Sequence, residues 1–111
     1  MKVNEFINQI LEASAKFSWI KRVDTEKLKT RAKIRLWIDQ AFIDIYYNAE
    51  DEITSYAYVE AGRTTFGANN MRVGWHLHPF ERVEEHKPIE PLSIGRFLQM
   101  LENELKKRRK I

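Results

Sequence analysis

Apolar or small residues recur at spacings of three and four near the start of the chain, at Val3, Phe6, Ile7, Ile10, Leu11, Ser14 and Phe17. Lys2, Glu5, Asn8, Gln9, Glu12 and Lys16 fill the positions between them. That spacing predicts an amphipathic helix with one stripe turned to a core. Trp19, Ile20 and Val23 leave the period, so the helix should end near Ser18. The period then changes to two. Leu28, Ala32, Ile34, Leu36 and Ile38 alternate with Lys27, Lys29, Arg31, Lys33, Arg35 and Trp37. This predicts a strand with an apolar face and with every one of those cations on the other face. Asp39 and Gln40 allow a tight turn into a second strand over 41–47. A polar stretch, 48–52, leads to a third strand over 53–60, and Ala61-Gly62 is a hairpin turn into a fourth over 63–68. Asn69-Asn70 turns the chain into a fifth strand over 71–78.

Pro79, Pro88 and Pro91 punctuate residues 80–92, which reads as a loop over one edge of the sheet. A closing helix starts at Ser93, a fitting N-cap, with Leu92 and Phe97 placed as a hydrophobic staple. Ile94, Phe97, Leu98, Leu101 and Leu105 supply its buried stripe. The pattern as a whole predicts an α+β fold: an N-terminal helix, a five-stranded antiparallel meander and a C-terminal helix, with the helices on one sheet face and the other face open.

A length of 111 residues fits a single domain over 1–111. Cysteine is absent, which excludes disulfides, thiolate zinc sites, iron–sulfur clusters and a cysteine nucleophile. No apolar run approaches the ~20 residues that span a bilayer, and polar residues interrupt the N-terminal segment. A cytoplasmic protein without a membrane partner is the expectation. The net charge of +3 is local: Lys106, Lys107, Arg108, Arg109 and Lys110 are consecutive, and without them 14 basic residues face 16 acidic ones. High charge without cysteine also suits a thermophile.

All three histidines fall within one short segment, Gly74-Trp75-His76-Leu77-His78-Pro79-Phe80-Glu81 followed by His86. On a strand, His76 and His78 point to one face with Cα atoms about 7 Å apart. Such a pair can chelate a metal, with His86 or Glu81 as further ligands, or can serve as base and acid across a phosphodiester. Imidazole suits both tasks because its ordinary pKa of about 6.5 leaves both protonation states accessible near neutrality. Exposed histidines capping a turn beside Trp75 are the plain alternative. The cationic set Lys27, Lys29, Arg31, Lys33 and Arg35, finished by Trp37, suits a phosphate backbone with bases stacked on nearby aromatics. Pairing with carboxylates such as Asp44 competes with that reading. In the basic tail, 106–110, complementing a helix dipole competes with phosphate contacts. Phosphate-cradling glycine loops and serine-hydrolase elbows are absent.

Taken in order, Arg31-Ala-Lys-Ile-Arg-Leu-Trp37, Phe42-Ile-Asp-Ile-Tyr-Tyr-Asn48, Tyr56-Ala-Tyr58, Phe66-Gly-Ala-Asn-Asn70, the segment from Gly74 to Glu81, His86 and the closing Pro-Leu-Ser-Ile helix start resemble the TumE-like toxin components of prokaryotic toxin–antitoxin systems. The resemblance covers roughly residues 30 to 103. It implies a toxin directed at RNA or the translation machinery, with a small antitoxin protein as partner. The residues themselves then suggest an RNA-directed protein acting as a metal-independent endoribonuclease without a cofactor. His76 or His78 would take the 2′-hydroxyl proton, and the other, or His86, would protonate the leaving oxygen. Lys29, Arg31, Lys33, Arg35 and Trp37 would hold the RNA, with Arg31, Lys33 or Arg35 stabilising the scissile phosphate. Two other readings stand beside it: a non-catalytic module binding nucleic acid or protein, and a metal-dependent enzyme using His76, His78, His86 or Glu81. A homodimer is compatible with the open sheet face.

Overall fold

A computed structural model describes residues 1–72 and 74–111. Its elements run α1 (Val3–Ser14), β1 (Arg22–Lys27), β2 (Arg31–Ile38), β3 (Ala41–Asn48), β4 (Ile53–Glu60), β5 (Arg63–Asn69), β6 (His76–His78), β7 (Lys87–Pro88) and α2 (Ile94–Lys107). The fold is α+β, with two helices and one antiparallel sheet whose strands pair in chain order from β1 to β7. There are seven strands among the described residues where the sequence pattern predicts five. No helix is long and apolar enough to cross a membrane among the described residues.

The two additional strands lie at the sheet edges. β1 exposes five of its six residues, so no apolar–polar contrast marks it as a strand. The predicted continuous strand through residue 27 is instead a hairpin: Leu28 N donates to Arg31 O at 2.9 Å, and β1 pairs back along β2 with Lys27 opposite Ala32. Leu28, expected in the core, is an exposed turn residue. Lys27, expected beside Arg31 and Lys33, shares the face of buried Ala32, because cross-strand partners point the same way. β7 ends in Pro88, which has no N–H to donate and is tolerated where only one side of a strand is paired. The expected fifth strand over 71–78 is confined to His76–His78; Met71 and Arg72 form a turn, and Val73 lies outside the described residues.

Alternation places Ala32, Ile34, Leu36, Ile38, Ile43, Ile45, Tyr47, Tyr56, Tyr58, Phe66 and Ala68 in one buried cluster. Phe6 of α1 stacks on Tyr47 with centroids 4.3 Å apart, and Phe97 of α2 packs on Tyr56 and Phe66. α2 begins where Ser93 Oγ accepts from Arg96 N, the cap expected from the sequence. Ala61 and Gly62 both have positive φ, 52° and 76°, the backbone of a two-residue hairpin turn that matches strand twist.

The basic tail folds back on the sheet. Lys110 Nζ donates to Glu60 Oε1 and Oε2 at 2.8 and 2.9 Å, and Tyr58 Oη donates to Glu60 Oε2 at 2.9 Å. Chiefly through the Lys110 hydrogen bond, this holds the Glu60 carboxyl below the usual carboxylate range. The folded protein therefore takes up that proton less readily than the unfolded chain. The resulting stability is complete above the ordinary carboxylate pKa of about 4.3 and is lost as acid titrates folded Glu60. Glu60→Gln should cost about 1 kcal/mol at pH 7, since solvent screens a pair this exposed. That difference should vanish in acid, which urea unfolding at pH 7 and pH 3 measures; an equal gap at both would show that charge is not its source.

Candidate functional site

The histidine cluster is built by β6, β7 and the loop between them. Successive strand residues alternate faces, so His76 and His78 project together while Leu77 turns inward opposite Ala68. β6 pairs with β7 through His76↔Pro88 and Leu77↔Lys87, and continuing that register by one residue sets His86 across from His78. The ring centroids lie 5.0 Å apart for His76 and His78, 5.1 Å for His76 and His86, and 4.5 Å for His78 and His86. One ring nitrogen from each falls within 4.8 Å of the others.

The loop returns His86 because it is fixed at several points. Phe80 is buried against Tyr58 and Phe66, so the chain just after His78 is pinned into the core. Glu81 N donates to Thr65 O at 2.7 Å, where the β4–β5 register shifts. Arg82 N reaches Pro79 O and Glu85 N reaches Arg82 O, two successive tight turns. Ile89 N donates to Trp75 O at 3.1 Å and ties the far end to the start of β6. Glu81 itself is exposed with a left-handed φ of 62°, and it is not a member of the cluster that could hold a metal.

Two of the imidazoles are oriented by the backbone. His78 Nδ1 lies 2.6 Å from Val83 O, and His76 Nδ1 lies 3.1 Å from Gly74 O. A carbonyl only accepts, so each Nδ1 carries a proton, and in the neutral ring Nε2 is the nitrogen with the lone pair. A cavity of about 700 Å³ opens over the cluster, lined by Asn69, Met71, Arg72, Trp75, Pro88 and the three histidines. Trp75 leans on Tyr56, and Asn69 Oδ1 accepts from Met71 N at the turn before them.

The cationic strand lies elsewhere on the sheet. Arg31, Lys33, Arg35 and Trp37 share one face of β2, as expected, while Lys29 sits in the preceding turn. β1 brings Asp24 opposite Arg35 and Glu26 opposite Lys33, carboxylates that the sequence pattern did not assign to this face. Arg35 is paired further: Nε and Nη2 donate to Asp44 at 2.8 and 3.1 Å, which raises its pKa, and its guanidinium lies 3.8 Å from the Phe42 centroid. Trp37 Nε1 donates to Asp24 at 2.9 Å. Asp24, Glu26, Lys33, Arg35, Trp37 and Asp44 line a groove of about 610 Å³ with Tyr46, Ser55 and Ala57.

Four strand spacings separate β2 from β6, about 19 Å. Arg31, Lys33 and Arg35 therefore cannot touch a phosphate held at the histidines; the cation that borders the histidine cavity is Arg72, which the sequence pattern left in a strand. The two sites do share a face, because the register runs from Lys33 through Tyr46, Ser55 and Asn69 to His76. No family model, curated protein or solved structure matches the chain.

Proposed function

We propose that the protein is an RNA-directed, toxin-like protein that cleaves a phosphodiester at the histidine cluster. The reading is carried by the register row Lys33–Tyr46–Ser55–Asn69–His76, which aligns a cation, an aromatic ring, two hydrogen-bonding side chains and the reactive cluster on one sheet face. Phe6 of α1 and Phe97 of α2 pack on Tyr47, Tyr56 and Phe66, which alternate to the other face, and this supports an open path of about 19 Å for a single strand between the β2 groove and the cavity. Sheets present single-stranded RNA with stacking rings and phosphate-binding cations in this way. At the cavity, Arg72 supplies the charge for the phosphate beside the three histidines. The resemblance of residues 30–103 to TumE-like toxins agrees in direction and adds a small antitoxin as the expected partner.

The test is incubation of purified protein with total cellular RNA beside a His76→Ala/His78→Ala variant and a Tyr46→Ala variant. Cleavage should be lost in the double variant and weakened in Tyr46→Ala through poorer binding, by roughly tenfold for one lost stacking contact. RNA that is bound but uncut would reassign the chain to a non-catalytic binding module. RNA neither bound nor cut would remove the reading altogether.

A further inference from the structure

We propose that His76, His78 and His86 form a three-histidine site for a zinc-class divalent transition-metal ion. The inference supplies a cofactor to the site of the proposed function, but it does not depend on RNA as the substrate. Distances favour it over acid–base use of the same residues. A tetrahedral ion with bonds of ~2.0–2.1 Å holds its nitrogen ligands about 3.3 Å apart. Three nitrogens already within 4.8 Å of one another reach that spacing by small ring rotations. A phosphodiester flanked by a base and an acid instead needs two hydrogen bonds of ~2.8 Å plus the reacting group, more than about 6 Å between nitrogens. The converging nitrogens lie closer together than that arrangement needs.

Orientation is the second observation. Metal-binding histidines characteristically donate the nitrogen that does not bind metal to a carbonyl or carboxylate, which fixes the tautomer and aims the lone pair. His78 does so to Val83 O and His76 to Gly74 O, from two different backbone segments. The cross-strand position of His86 completes the set, and its exposed ring leaves the cavity side open. Three protein ligands with an open fourth position is the arrangement of catalytic rather than structural zinc. An all-imidazole set selects zinc, cobalt, nickel or copper over magnesium and calcium, which prefer oxygen ligands. Neutral imidazoles leave the ion's charge uncompensated and Arg72 borders the same cavity, so the open position suits an anionic oxygen such as hydroxide or a phosphate oxygen.

The test uses full-length protein without an affinity tag, stripped with chelator and titrated with Co²⁺ and with Zn²⁺. Tight binding of a single equivalent is expected, with the visible absorption of low-coordinate cobalt. His78→Ala should lower affinity at least about 100-fold, since a ligand is lost outright. His86→Ala, at an exposed position, should show the same loss with an unchanged circular-dichroism spectrum, which covers the case of a misfolded His78→Ala. Absence of saturable binding, or binding that survives both substitutions, would overturn the proposal. RNA cleavage that persists in EDTA with no bound metal would overturn this inference alone. Stoichiometric metal in a protein that leaves RNA intact would retain it and remove RNA as the substrate.

Discussion

Phe97→Ala is expected to destabilise the protein by about 3–5 kcal/mol, the range for deleting a buried aromatic ring. Phe97 is 0% exposed and packs on Tyr56 at 5.0 Å and Phe66 at 5.3 Å, so its removal leaves a void between α2 and two strands. Small domains hold only ~5–15 kcal/mol in total, which makes this loss a large share. The effect should reach the histidines. Phe66 also packs on Phe80, just beyond His78, and Tyr56 carries Trp75, just before His76. Phe97→Leu keeps most of the volume and should cost distinctly less. Denaturant unfolding of both variants checks this, and a loss below 1 kcal/mol for Phe97→Ala would mean that the ring is not a packing centre.

The central sheet and both helices were legible because their burial is one-sided. Ala32, Ile34, Leu36 and Ile38 alternate with polar residues on β2, and Ile94, Phe97, Leu98, Leu101 and Leu105 keep helical spacing on α2. β1 was not legible, since Arg22, Asp24, Glu26 and Lys27 are exposed whichever face they occupy. Its turn was hidden for a related reason: Lys27, Leu28 and Lys29 continue the alternation of β2 by coincidence of parity. β7 was obscured by Pro88, a residue that argues against a strand except at an edge.

At the candidate site, the sequence placed His76 and His78 on one face, as local alternation alone dictates. It could not place His86, because that depends on Phe80 entering the core and on Glu81 N reaching Thr65 O, both long-range contacts. Equally hidden were the counterions of the cationic strand. Asp24 and Glu26 oppose Arg35 and Lys33 only once β1 is paired, and the apparent row of like charges then becomes a mixed one. The orientation of the imidazoles was hidden as well, since a hydrogen bond from His78 to the Val83 carbonyl leaves no mark on residue identity.

Gly67→Ala is the substitution that should separate sheet geometry from stability in general. Gly67 pairs with His78 on one side and Ala57 on the other, and it is buried. An added Cβ would lie 2.9 Å from Tyr56 O, closer than van der Waals contact allows. Two effects oppose each other here. Alanine restricts the unfolded chain and by itself adds ~0.4–1 kcal/mol of stability, whereas forcing backbone apart costs ~1–3 kcal/mol. The second should win, because the obstructing atom is a carbonyl oxygen in a paired strand and cannot rotate aside as a side chain would. The strain falls on the β5–β6 pairing, so His78 should shift relative to His86, and cobalt affinity should fall along with stability. Gly62→Ala is the comparison. At φ 76° with nothing within 4 Å of its added Cβ, it strains a hairpin turn by about 1 kcal/mol. That turn lies at the opposite end of β5 from Asn69, which pairs with His76, so metal affinity should be unchanged. If Gly67→Ala matched the parent in both stability and cobalt affinity, the close approach at Tyr56 O would not be what sets the histidine spacing.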